Sequence, residues 1–287
     1  MRLKALFFAV ALASACHGGS STPADSSGEG VADVAADAPI TGCGTECGAM
    51  VAVPAGPYTM GCDPAVNAVC RADEAPPHQV DVPAFQIDKY EVTVGQYKAC
   101  VAASKCTQPG GGSSACTWWA GGADDHPVNC VSWDQAVAFC AFGGKRLCSE
   151  AEWEKAARGT DGRLYPWGND PPTCEDAAFN APDCPVSTTL PVGTKPAGAS
   201  PFGALDMAGN VWEWVEDWYH ASYDAAPADG SVWQTPVGDY RVNRGGAFDN
   251  APTVRATARA TDAPADQSYG IGVRCCKSGV PAGAPVP

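Results

Sequence analysis

Fifteen cysteines, four histidines and a pair of carboxylates around a Gly-Asn turn are the groups in this 287-residue chain with the means to do chemistry. Their spacing narrows the choice. There is no Cys-x-x-Cys, and His17, His78, His126 and His220 each stand alone. Zinc, haem and iron–sulfur sites therefore find no ligand pattern here. Setting Cys16 aside leaves fourteen cysteines, enough for seven disulfides. Cys43 and Cys47 are expected to pair locally or clip to the body, and Cys174 with Cys184 to form a local clip. Cys275 and Cys276 are neighbours, readable as a redox-active pair or as two structural cysteines. In the run Asp206-Met207-Ala208-Gly209-Asn210-Val211-Trp212-Glu213, the glycine turn can fold the Asp206 carboxylate back toward Glu213. If 211–214 is extended, Val211 and Glu213 face one way and Trp212 and Trp214 the other. Two carboxylates with exposed carbonyls make a hard-cation site, which points to calcium.

The elements that would carry these groups are short. Thr93 to Gln96, Ser132 to Gln135 and Ser149 to Glu152 each fit the capping box, predicting helices over 94–103, 133–142 and 150–158. The second would end at Gly143-Gly144 and the third at Gly159. Val94, Tyr97 and Val101 are expected on one face of the first, and Val137, Cys140 and Ala141 on one face of the second. Gly and Pro number 32 and 25, about a fifth of the chain, so the rest reads as short strands and long loops. The fold class expected is α+β, irregular and loop-rich, in a single disulfide-stapled domain over 49–278.

The net charge is -14, from 18 basic and 32 acidic residues, which disfavours nucleic acid as a partner. Residues 1–15 carry Arg2 and Lys4, then a short apolar run, then Ala13-Ser14-Ala15, and read as a signal peptide. With Cys16 following, the segment resembles a bacterial lipobox, although Ala13 replaces the usual larger aliphatic residue. Lipidation of Cys16 would make an exported, membrane-anchored lipoprotein facing the periplasm or the cell surface. Ordinary signal-peptide cleavage is the alternative. Residues 16–48 lack any aromatic and read as a tether, and 279–287 as a disordered tail.

The motifs HPVNCVSWDQAVAFCAFGGKRLCSEAEWEKAARG, YPWGN at 165–169, FGALDMAGNVWEW at 202–214, RVNRGGAF at 241–248 and YGIGVRC at 269–275 follow in that order. Together they resemble the formylglycine-generating enzyme (sulfatase-modifying factor) family across about 50–276. The resemblance implies one domain poor in regular structure, related to the C-type-lectin-like arrangement. It also implies a copper(I)-dependent oxidation of a substrate cysteine by a Cys-x4-Cys pair, and bound calcium. The family's two catalytic cysteines fall here on Asn250 and Arg255, and its serine on Ala247. An amide and a guanidinium cannot hold copper(I) or exchange with a thiol, so copper is not expected.

The resemblance pairs Cys140 with Cys275; Cys148 and Cys276, each displaced from that pair, could bridge as well. It assigns calcium to Asp206, the Gly209 and Val211 carbonyls and Glu213, and a second, weaker site to Asn180 and the Ala181 carbonyl, with Asp183 the nearby acid. Trp212 matches a tryptophan lining the family's groove. With Asn250 and Arg255 it could mark a groove for a peptide or small polar ligand. The expectation is a cell-envelope lipoprotein whose domain binds or scaffolds without catalysis. The alternative is a divergent oxidase or protein-modifying enzyme of the same family; an iron sulfoxide-synthase relative would need an added domain with histidine ligands, for which no motif is found.

Overall fold

Each of the three capping boxes opens a helix. In α1 (Val94–Ala102), α2 (Trp133–Phe142) and α3 (Glu150–Arg158), the Thr93, Ser132 or Ser149 hydroxyl accepts from the backbone N–H three residues on. The Gln96, Gln135 or Glu152 side chain accepts from the cap residue's N–H in return, at 2.8–2.9 Å. Two orphan donors are thus satisfied at each start. Helix α3 stops at Gly159, whose φ of +70° is left-handed and where a Cβ would meet Pro201 at 2.9 Å.

The computed structural model describes residues 48–65, 67–249 and 253–280, all within the compact unit Pro39–Pro287. The signal segment, Cys16, most of the tether, Cys43, Cys47, Asn250 and residues 281–287 lie outside the described residues. Gly279, read as tail, instead donates its N–H to the Ala84 carbonyl at 3.0 Å.

Among the described residues, ten short strands complete the α+β fold. One sheet has the order β1-β4-β10-β5, from β1 (Met50–Val53), β4 (Phe85–Asp88), β5 (Arg146–Leu147) and β10 (Cys275–Ser278). A second pairs β2 (Gly56–Met60) with β3 (His78–Val82). The third has the order β8-β7-β6-β9, from β6 (Trp212–Trp218), β7 (Arg241–Arg244), β8 (Arg259–Asp262) and β9 (Ile271–Gly272). Its β6–β9 pairing is parallel and its other pairings antiparallel.

Strand β10 joins the two main core clusters. Successive side chains of a strand point to opposite faces, so Cys275 enters the cluster around Tyr97, Leu147 and Trp214, and Cys276 the one around Phe85, Ile87 and Trp153. Cys275 bonds Cys140 of α2, and Cys276 bonds Cys148, with Cα separations of 5.6 and 4.9 Å. The vicinal cysteines are therefore two structural bolts. Cys174–Cys184 forms the expected clip, and Cys62–Cys70, Cys100–Cys106 and Cys116–Cys130 close three further loops. Every cysteine among the described residues is in a disulfide.

Helix faces depart from expectation at one point. Val94 and Tyr97 are buried in α1, but in α2 the buried pair is Ala136 and Cys140, and Ala141 is exposed. Val137 packs half-buried against the same cluster, so the α2 contact is centred on Cys140 and leaves Ala141 outside it.

Candidate functional site

The turn into β6 is built on left-handed backbone. Asp206, Gly209 and Asn210 have φ of 58°, 81° and 62°. At Gly209 a Cβ would lie 2.2 Å from the Ala178 carbonyl oxygen, so only glycine fits. The Gly209 N–H donates to the Gly245 carbonyl and the Asn210 N–H to that of Ala178, both at 2.8 Å. This folds the segment so that Asp206 and Glu213 are both buried.

Glu213 faces Arg274, whose Nε lies 2.9 Å from each carboxylate oxygen, and accepts from Trp153 Nε1 at 2.6 Å. Arg274 also donates to the Asp88 and Leu205 carbonyls at 2.8 Å. Asp206 accepts from the Gly193 N–H at 2.6 Å. Burial pushes its carboxyl up to about 6, with the Gly193 N–H and Arg274 pulling the other way. A third carboxylate, Glu91, accepts from Asn210 Nδ2 at 2.6 Å and from the Val211 N–H at 3.1 Å. Burial, then Asp206 and Glu213, pushes it well above the usual range.

Three buried carboxylates thus share one guanidinium. That charge excess and the all-oxygen donor set fit a hard cation. The three acids are not tightly gathered: among the described residues, the one trio of candidate ligand atoms within 4.8 Å of one another is Cys62, Cys70 and Glu74. Asp206 and Glu213 are the residues the sequence named; Glu91 and Arg274, which lie far along the chain and carry no spacing signal, were not named. Across 211–214 both faces are covered: Val211, Glu213 and Trp214 are all 0% exposed and Trp212 is half-buried. Asn180 is exposed and Ala181 half-buried, in a turn where Ala181 and Cys184 exchange backbone hydrogen bonds.

The segment 244–259 is committed to buried ion pairs. Arg244 pairs with Glu154 and donates to the Ala258 carbonyl at 2.6 Å. Arg259 grips both oxygens of Glu150, at 2.6 and 3.0 Å. Burial alone would raise the Glu150 carboxyl, but Arg259 and Arg244 outweigh it and hold it below the usual range. Arg255 forks onto Glu74 with two bonds of 2.6 Å and donates to Thr257 Oγ1 at 2.9 Å. At 5% exposure it lines no open groove, correcting that expectation. Ala247 is fully buried. Of the expected groove residues, Trp212 remains half-buried, and Asn250 is outside the described residues.

Beside this network Asp217 accepts from the Glu150 and Trp233 N–H groups, both at 2.8 Å. Burial, helped by Glu150, pushes its carboxyl from 3.8 up to about 7 despite these donors. A carboxyl raised on folding contributes stability that is full below about pH 4 and is lost as pH rises through about 7. The wild type should therefore lose stability across this window relative to Asp217→Asn, with a slope of about 1.4 kcal/mol per pH unit. Denaturant titrations at pH 4.5 and 8 read the difference; parallel pH profiles would refute the assignment.

Comparison with known proteins places these features in context. Residues 36–279 match the family model described as the sulfatase-modifying factor enzyme 1-like domain. The formylglycine-generating enzyme of Bos taurus is 31% identical over 284 residues, covering 81% of this chain and 75% of that one. The hercynine oxygenase of Mycobacterium tuberculosis is 34% identical over 250 residues, covering 76% of this chain and 58% of its own length. Among solved structures, that of PvdO from Pseudomonas aeruginosa superposes with a TM-score of 0.72 at 29% identity, over 82% of this chain and 95% of that one.

Proposed function

The chain belongs to the family of the sulfatase-modifying factor enzyme 1-like domain, and we propose that it acts in the cell envelope as a non-catalytic binding or scaffold module of that family. The observation that carries the reading is Arg255. Where the resemblance sets the second catalytic cysteine, a buried guanidinium forks onto Glu74. It brings neither a nucleophile nor a soft ligand to that place, and every cysteine among the described residues is already paired. A copper(I) site at these positions has no sulfur to hold the ion. The half-buried Trp212 is the groove residue left to meet a peptide or small polar ligand.

Two further parts complete the proposal. Calcium is held by Asp206 and Glu213 with the Gly209 and Val211 carbonyls, and the crowding of these buried acids with Glu91 supports it, because their carboxyls are pushed up and a bound cation would favour the ionised forms. Its role would be to offset that charge and fix the turn, rather than to react. Cys16 carries the lipid anchor; Cys16→Ser should abolish fatty-acid labelling, and labelling that persists would remove the anchor from the proposal. A second reading, a divergent oxidase or protein-modifying enzyme, draws support from the likeness to a formylglycine-generating enzyme and a hercynine oxygenase.

The deciding assay incubates the purified chain with copper, reductant, oxygen and a peptide bearing the sulfatase cysteine motif. The expected result is no aldehyde product above a metal-only blank by mass spectrometry; turnover above the blank would favour the oxidase reading. Chelation of the same preparation should lower the melting temperature through ligand linkage, and the Asp206→Ala, Glu213→Ala double variant should show no such response. A wild-type melting curve unchanged by chelator would remove calcium from the proposal.

A further inference from the structure

The segment matching the family's catalytic stretch has no sulfur of its own, yet the fold brings two sulfurs to its side from elsewhere in the chain. Cys62 and Cys70 lie with Glu74 in a buried cluster whose three candidate ligand atoms are within 4.8 Å of one another. Glu74 is the residue that Arg255 grips. We propose that Cys62, Cys70 and Glu74 form a redox-gated site for a borderline divalent metal ion such as zinc, closed while the two cysteines are bonded and opened when an external dithiol reduces them. The site shares the Arg255–Glu74 pair with the function proposed above but involves neither the calcium residues nor Trp212.

The chemistry balances. A thiolate of the external dithiol attacks one sulfur of Cys62–Cys70 and forms a mixed disulfide. The second thiol of the reductant resolves it, leaving two cysteine thiols and an oxidised reductant. Metal binding then releases both thiol protons to solvent. Two thiolates, one carboxylate and a dication sum to one negative charge, which the Arg255 guanidinium neutralises. Zinc takes sulfur at about 2.3 Å and carboxylate oxygen at about 2.0–2.2 Å, which a cluster of this width accommodates, with the fourth position left to water.

Contacts other than the disulfide itself also hold the ligands in place. The Cys62 N–H donates to the Glu74 carbonyl at 2.8 Å. At Gly61, with φ +90°, a Cβ would lie 2.6 Å from that same carbonyl oxygen, so the glycine permits the close approach. Arg255 and Thr257 donate three hydrogen bonds to the Glu74 carboxylate, two on Oε2 and one on Oε1, which orients it as outer partners orient metal ligands and leaves one lone pair, on Oε1, to spare.

This disulfide is also suited to opening. It spans a sequence separation of only 8, against 135 and 128 for the bonds to Cys275 and Cys276, so its loss frees less chain entropy than theirs. Cys62 and Cys70 are 7% and 8% exposed, whereas Cys140, Cys148, Cys275 and Cys276 are 0%. Other short-loop disulfides exist, but among the described residues none has a carboxylate completing such a trio.

The test uses the full chain, reduced in steps with a phosphine at neutral pH, with alkylated aliquots mapped by mass spectrometry and cobalt(II) as the probe. Cys62 and Cys70 should become alkylatable while near-ultraviolet circular dichroism persists. The reduced chain should then take up a single cobalt ion with thiolate-to-cobalt charge-transfer absorption, and zinc should displace it. The oxidised chain and the Cys62→Ser, Cys70→Ser double variant should show no such band. Three results would overturn the proposal: no reduction of this pair before the fold is lost, no band once the pair is reduced, or a band that survives in the double variant.

Discussion

Helix α3 is buried along its whole length, from Glu150 to Arg158, and it carries charges that water does not reach. The rest of the body is arranged around that condition. Glu150 and Glu154 must be neutralised, and the guanidinium groups come from Arg158 on the helix itself and from Arg244 and Arg259 on β7 and β8. Glu74 repeats the arrangement with Arg255, and Glu213 with Arg274. Such pairs add little net stability over apolar packing, because desolvating two charges offsets most of their attraction. Removing one partner, however, strands the other and costs about 3–5 kcal/mol. The network therefore fixes geometry: it ties strands distant in sequence to one helix and permits few single changes.

That constraint bears directly on function. The stretch 244–259 is where the family resemblance looks for a reacting sulfur. Here its three arginines serve as counter-ions to Glu154, Glu74 and Glu150. The disulfides Cys140–Cys275 and Cys148–Cys276 clamp β10 from both faces and close the two core clusters over the helix. Tight backbone turns at Gly209 and Gly246, where a Cβ would collide with the Ala178 and Thr253 carbonyl oxygens, complete the frame.

Local signals were legible in the sequence and distant ones were not. The capping boxes at Thr93, Ser132 and Ser149 located all three helix starts, because a box is written within four residues. The Cys140–Cys275 bond came from the family resemblance, as spacing cannot choose among so many possible pairings. Nothing in EAEWEKAAR announces full burial, since three glutamates, a lysine and an arginine suggest a solvated face. Its partners lie 90 and 109 residues away at Arg244 and Arg259, and Arg255 meets Glu74 across 181. Glu91 and Arg274 were missed at the calcium candidate for the same reason. Ala141 was misplaced because α2 is apolar almost all round, and periodicity alone cannot pick its inner face.

The central claim is that Arg255 is held in the fold as the counter-ion of Glu74. A double-mutant cycle on Glu74→Gln and Arg255→Gln, followed by denaturant unfolding with the disulfides intact, addresses it most directly. Each single change should cost about 3–5 kcal/mol. The double variant should recover a large part of the summed loss, with a coupling of about 2 kcal/mol or more. Single variants within about 0.5 kcal/mol of the wild type, or losses that simply add, would contradict the account and free Arg255 for another role.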